Sequence, residues 1–358
     1  MGYFGHRLVD MARRYRAEVV TIERPWGEAF SLAEVEDALE RHRPAVLAMV
    51  HAETSTGVCQ PMDGIGAACR RHDSLLLLDT VTSLGGVPLH LDAWQVDLAY
   101  SCSQKGLSCP PGLGPFTMGP RAEARLTARR DNVPNWYLDV SLLNRSWGSD
   151  RVYHHTAPLN MNVGMREAQR LLADEGLEQA WARHRANAER LWQGLERLGL
   201  ELHVPAGLRL PTLTTVRIPA GVDGKAFSRH LLDRHGIEIG GGLGDLAGTV
   251  WRIGLMGYNS TEQNVDRLLN LLETELPAFR NQPRPAATAA VRTSSAEGSG
   301  PPAPPPRRSP ACGDGQSGQR RDPDSCPGRP ASDRRRRRPP CRPVPAPGRP
   351  RTSGRVPG

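Results

Sequence analysis

Short apolar runs alternate with stretches of helical periodicity from Leu8 to Leu276. Leu8 to Tyr15 spaces its apolar residues as an amphipathic helix does, and Val19 to Ile22 reads as a strand. Ser31, with Glu34 three residues on, is the pair that forms a capping box ahead of a helix over LAEVEDALERH. Ala45 to Val50 is an apolar strand and Gly64 to His72 a helix. Leu75 to Leu78 and Val96 to Tyr100 are apolar throughout, the pattern of strands buried on both faces. Strands separated by helices require crossover connections, so the reading is α/β with a mainly parallel sheet. Ligands collect at the carboxyl ends of the strands in such sheets.

After Phe116 to Met118 the pattern loosens through Trp136, Trp147 and RVYHHTAP. A long helix, about Gly176 to Leu198, then opens a second alternation. It comprises strands at Glu201 to Val204 and Thr212 to Ile218, a helix from Lys225 to Arg234, strands at Ile237 to Ile239 and Val250 to Ile253, and a helix from Thr261 to Leu276 stopped by Pro277. The expected organisation is a large domain over 1–175, a smaller C-terminal α/β domain over 176–280, and a tail over 281–358.

Composition separates the tail from the body. Every Trp, Tyr and Phe lies at or before Phe279. The stretch 281–358 holds 16 Arg against 5 acids, a net of +11; with +8 overall, residues 1–280 carry −3. A segment so poor in apolar side chains cannot offset the entropy of ordering its backbone, so the tail is expected to be disordered. Its run Arg334 to Arg338 has no aromatic interleaved for base stacking, which does not support a nucleic-acid partner. Seven Cys include no CxxC pair. The start, MGYFGHRL, shows no secretory leader, and no apolar run could span a bilayer. A cytoplasmic protein without a membrane partner is expected.

Candidate chemistry sits in SLLLLDTVTSLGGVPLHLDAWQVDLAYSCSQKGLSCPP. Asp79 ends one buried run, and Lys105 follows the other. The chain has 46 Lys and Arg but only two lysines, Lys105 and Lys225. Arg keeps its proton at neutral pH, whereas a desolvated Lys can release it and attack a carbonyl. Lys105 thus reads as an amine that condenses with an aldehyde cofactor, and Asp79 as the carboxylate that keeps the cofactor's ring nitrogen protonated. The bland alternatives are a strand-end lysine in solvent and a helix-capping Asp. Lys225 opens a helix and reads as a surface cation. His51, His154 and His155 lack further ligands at usable spacing, so no metal is expected. Arg252, on an apolar strand, fits either a buried ion pair or a fork for a substrate carboxylate.

HAETSTGV, LLLLDTVTSLGG, SCSQKGLSCPPGLG, VYHHTAP, GGLGDLAGTVWRIGLMG and NVDRLL together resemble the alanine–glyoxylate and serine–glyoxylate aminotransferases. These are class V pyridoxal-phosphate enzymes of fold type I, and the likeness runs from Gly2 to Leu276. It implies that Lys105 holds pyridoxal 5'-phosphate and later shuttles the Cα proton, and that Asp79 pairs with the ring nitrogen. Val81 would pack on one ring face and Phe4 on the other, with Ser55 near the ring hydroxyl and Gln104 near the phosphate. Tyr153 and Thr156 would reach the phosphate of a neighbouring subunit's cofactor, which implies a homodimer. Arg252 would hold the carboxylate of small amino acid and 2-oxo acid substrates.

The implied reaction moves an amino group from alanine or serine to glyoxylate, giving glycine plus pyruvate or hydroxypyruvate. The family also carries a long segment ahead of Phe4 with a Ser/Gly phosphate loop, so the resemblance implies an N-terminally incomplete large domain. The alternatives are an inactive fragment or another class V enzyme such as a cysteine desulfurase relative. The latter would want His before the lysine, where this chain has Gln104.

Overall fold

The computed structural model describes residues 2–280; the tail expected to be disordered lies outside the described residues. Helix α1 (Tyr3–Arg14) precedes α2 (Leu32–His42), which opens on the capping box that the sequence predicts. Strand β1 (Val46–Val50) runs into a hairpin of β2 (Ala52–Glu53) and β3 (Val58–Cys59). Helix α3 (Ile65–Arg71), β4 (Leu75–Asp79), β5 (Leu98–Tyr100) and β6 (Phe116–Met118) follow.

The main sheet has the order β1-β4-β5-β6, with parallel pairs β1–β4 and β4–β5 and an antiparallel edge, β6. Its core gathers Leu76, Leu78 and Ala99 with Val35 and Leu39 of α2 and Ile65, Ala68 and Cys69 of α3. The register aligns Val50, Asp79 and Tyr100, so three carboxyl ends lie side by side with Asp79 in the centre.

Four helices follow: α4 (Pro120–Thr127), α5 (Val140–Trp147), α6 (Leu159–Glu175) and α7 (Leu177–Arg197). A three-stranded antiparallel sheet of order β7-β9-β8 is then built from β7 (Leu213–Arg217), β8 (Gly240–Gly241) and β9 (Val250–Gly254). Helices α8 (Gly224–His235) and α9 (Glu262–Glu275) pack with α7 around Leu191, Leu195, Phe227, Leu231, Trp251 and Leu268.

Three expected strands differ. Val19 to Ile22 is coil with Val20 and Ile22 exposed, because no strand among the described residues pairs with it. Glu201 to Val204 contributes only the bridge Leu202↔Val216. Ile237 to Ile239 is coil, and pairing with β9 begins at Gly240 instead. Where the pattern loosens, α5 and α6 form on either side of a non-helical stretch, 148–158, that carries Tyr153 and Thr156. No helix among the described residues is long and apolar enough to cross a membrane.

Candidate active site

Asp79 closes β4 with 6% of its surface exposed. Its Oδ1 accepts from Val81 N at 2.8 Å and its Oδ2 from the Tyr100 hydroxyl at 2.6 Å. No Lys or Arg forms an ion pair with it among the described residues. Burial therefore pushes its carboxyl above the ordinary 3.8; the bonds from Tyr100 and Val81 pull against that, Glu53 adds to it, and Arg7 opposes it. Burial and the Asp79 charge push the Tyr100 phenol far above its usual range, so Tyr100 is the donor.

Lys105 lies in the turn after β5 and is half-buried. Its carbonyl accepts from Ser108 N at 2.9 Å, and no hydrogen bond or ion pair holds its ammonium among the described residues. The turn is fixed by contact with the 84–86 loop: a Cβ on Gly106 would meet the Leu84 carbonyl oxygen at 2.3 Å, so only glycine fits beside the lysine. Cys102 links the end of β4 to the Lys105 turn, three residues ahead of the lysine. Burial raises its thiol, the Lys105 charge lowers it and the Asp79 charge raises it, while its Sγ lies 4.0 Å from the Val81 carbonyl. Asp79, Val81, Cys102 and Lys105 thus come together at the carboxyl ends of β4 and β5.

The second sheet supplies Arg252. Its Nε donates to the Gly241 carbonyl at 2.7 Å and its Nη1 to the Thr54 carbonyl at 3.2 Å, beyond β2. Burial lowers its guanidinium and Glu53 raises it. Arg252 makes no ion pair among the described residues, so the buried-pair alternative has no acid within bonding distance.

Glu53, fully buried, is the residue that the sequence reading missed. Its carboxylate accepts from Phe4 N, Gly5 N, Ser55 N and the Ser55 hydroxyl, the last at 2.6 Å. It anchors the N-terminus of α1, where a carboxylate meets the positive end of the helix dipole. The signal was an acid following the apolar β1 run. Ser55 also accepts from Tyr3 N at 2.9 Å, so its hydroxyl is engaged. Phe4 is half-buried, with the Arg7 guanidinium 4.9 Å from its ring centroid. Gln104 is exposed. Tyr153 is 78% exposed and bonds only Thr156, 3.3 Å from hydroxyl to hydroxyl. Neither Tyr153 nor Thr156 bonds a residue of the Lys105 turn within this chain.

An aldehyde cofactor with a protonatable ring nitrogen fits these groups. Asp79 is a buried carboxylate with no cation bonded to it, and Lys105 is an amine with no counter-ion bonded to it.

The family model for aminotransferase class-V matches residues 6–268. The chain belongs to the class-V aminotransferases. It is accordingly a pyridoxal-phosphate-dependent transaminase. It is 43% identical over 280 residues to the alanine–glyoxylate aminotransferase of Oryctolagus cuniculus, covering 77% of this chain and 71% of that one. It superposes on the crystal structure of an alanine–glyoxylate aminotransferase from Nostoc sp. with a TM-score of 0.75 and 64% identity, covering 76% and 72% of the two chains. The ureidoglycine–glyoxylate aminotransferase of Bacillus subtilis aligns at TM-score 0.76 and 38% identity over 78% and 72%. A cysteine desulfurase from Thermococcus onnurineus, at 15% identity, shares the fold alone.

Proposed function

We propose that this aminotransferase transfers the amino group of alanine or serine to glyoxylate, with Lys105 and Asp79 as its central residues. The observation that carries the assignment is the buried Asp79 carboxylate, with no cation bonded to it, at the end of β4, and Lys105 in the turn that follows the neighbouring strand β5. The alanine–glyoxylate relatives support glyoxylate as acceptor and alanine as donor. Bound pyridoxal phosphate supplies an aldehyde carbon and an electron-accepting ring that acidifies the Cα–H bond of an attached amino acid.

The chain's residues do the rest. With the cofactor bound, Lys105 Nζ would be the amine that holds it and the base placed to move the substrate's Cα proton. Asp79 keeps the ring nitrogen protonated, and the cation it then faces returns its own carboxyl to the ionised form. Val81 and Phe4 would hold the cofactor by apolar contact with its ring, and Ser55 and Gln104 would supply polar contacts to it. Arg252 forks around the substrate carboxylate.

In a homodimer, Tyr153 and Thr156 would help to hold the phosphate of the second subunit's cofactor. Exposed Trp136, Tyr137, Leu138, Trp147 and Leu159, around that segment, supply apolar surface for such an interface.

The test is a donor screen with glyoxylate as acceptor, offering alanine, serine and ureidoglycine and measuring glycine. Alanine or serine should be used; a chain that accepts neither refutes the assignment. Lys105→Ala should abolish the visible band of lysine-bound cofactor. A cofactor still trapped on that variant by borohydride would mean that another amine holds it.

A further inference from the structure

The structure gathers metal-ligating side chains in a place that no spacing in the sequence suggests. His230 lies midway along α8, His235 is its last residue and Glu275 is the last residue of α9. His230 Nε2 contacts Glu275 Oε2, and His235 Nε2 lies 2.7 Å from Glu275 Oε1. One ligand atom from each residue lies within 4.8 Å of the other two. The two imidazole planes cross at 70°, with centroids 5.7 Å apart, and both Nε2 atoms face the Glu275 carboxylate, each on its own oxygen. The three stand on α8 and α9, and among the described residues none of them bonds Asp79, Lys105 or Arg252.

Its surroundings favour a cation. Both helices end here, and helix C-termini carry partial negative charge. The side chains are 29%, 26% and 25% exposed for His230, His235 and Glu275, shielded enough to strengthen binding and open enough for an ion to enter. Phe279, 5.0 Å from the His230 ring, walls one side. Arg267 donates to the His235 carbonyl at 2.6 Å, which fixes the backbone that carries one ligand. The contrast with His154 and His155 is instructive. Their Nδ1 atoms face each other at 2.7 Å, but the other nitrogen of His154 is taken by the Trp136 carbonyl and no carboxylate joins them.

We propose that His230, His235 and Glu275 bind a divalent transition-metal ion of the zinc class. Two imidazole nitrogens and one carboxylate oxygen would serve as ligands, with at least one coordination position left to water. The ion takes the Nε2 lone pairs, and the protons those atoms carry pass to their Nδ1 atoms or to solvent, so no oxidant or reductant is needed. It fastens the end of α8 to the end of α9, and its binding energy adds to the stability of this part of the fold. The competing explanation is an imidazole–carboxylate ion pair with no affinity for metal.

Isothermal titration of untagged holoenzyme with zinc chloride, in buffer free of chelators, separates the two. The expected result is one zinc per chain at this site, weakened at least about tenfold by either His230→Ala or His235→Ala and raising Tm in the wild type only. An identical isotherm in the His230→Ala/His235→Ala double variant, or no zinc binding by the wild type, overturns the proposal. Cobalt(II) gives a readout independent of stability: its visible ligand-field bands should form with the wild type and be lost with the folded Glu275→Gln variant. Bands unchanged in that variant overturn it equally.

Discussion

Tyr100 donates its hydroxyl proton to Asp79 Oδ2 at 2.6 Å across a pair of parallel strands whose register sets the two residues opposite each other. The bond satisfies a buried carboxylate that otherwise has only the Val81 amide. It still leaves the charge uncompensated, and a buried charge without a partner is expensive. The site is therefore strained electrostatically until a cation arrives.

That strain has a sign. Burial holds the native Asp79 carboxyl above 3.8, the value the unfolded chain keeps, so between the two the native state binds more protons. Stability of the cofactor-free chain should fall as pH rises through that window and level off above it. Asp79→Asn should remove that slope, melt no lower than the wild type at neutral pH, and lower kcat by on the order of 10²–10³. Tyr100→Phe should widen the window, since it removes the largest effect opposing burial. Melting curves with and without cofactor across the acid range check the stability effects, and steady-state transamination rates check the fall in kcat.

Glu53→Gln tests the anchor of α1. The amide keeps the shape but loses the charge that meets four donors near the helix start, so the chain should lose about 1–3 kcal/mol. Amide hydrogen exchange should accelerate over residues 4–8 before the main sheet is affected. Unchanged exchange there would mean that α1 is held by other contacts.

What could be read in the sequence was whatever a residue does locally or through burial. Ser31 and Glu34 declare a helix start because both bonds close within four residues. Leu75 to Asp79 declare a central strand because both faces are buried and an acid ends the run. Val19 to Ile22 has the composition of a strand, but a strand exists only with a partner. Helices α5 and α6 were hidden because together they bury only Met165 and so lack a clear apolar stripe. Glu53, Tyr100 and the His230–His235–Glu275 cluster act over tens of residues, and nothing in spacing alone brings such partners together.

Arg252→Lys should separate binding from chemistry. A lysine keeps the charge but cannot both fork a carboxylate and hold the Gly241 and Thr54 carbonyls. KM for both amino and oxo acid should rise about tenfold to a hundredfold while kcat changes much less, since the lost contact serves ground and transition states alike. A fall in kcat with unchanged KM would place Arg252 outside the substrate contact.

Tyr153 is 78% exposed and, among the described residues, hydrogen-bonds only Thr156, so Tyr153→Ala should leave the melting temperature of the isolated subunit unchanged. If it serves the cofactor of a second subunit, the loss should show in cofactor affinity and can be rescued in a mixed dimer. In a Lys105→Ala subunit paired with a Tyr153→Ala subunit, one site carries both defects and the other carries neither. Random mixing makes half of the dimers mixed, and each has one intact site, so activity should return to about a quarter of wild type from two nearly inactive parents. If Tyr153 instead serves its own subunit's site, every site in the mixture keeps one defect and the mixed sample stays as inactive as its parents.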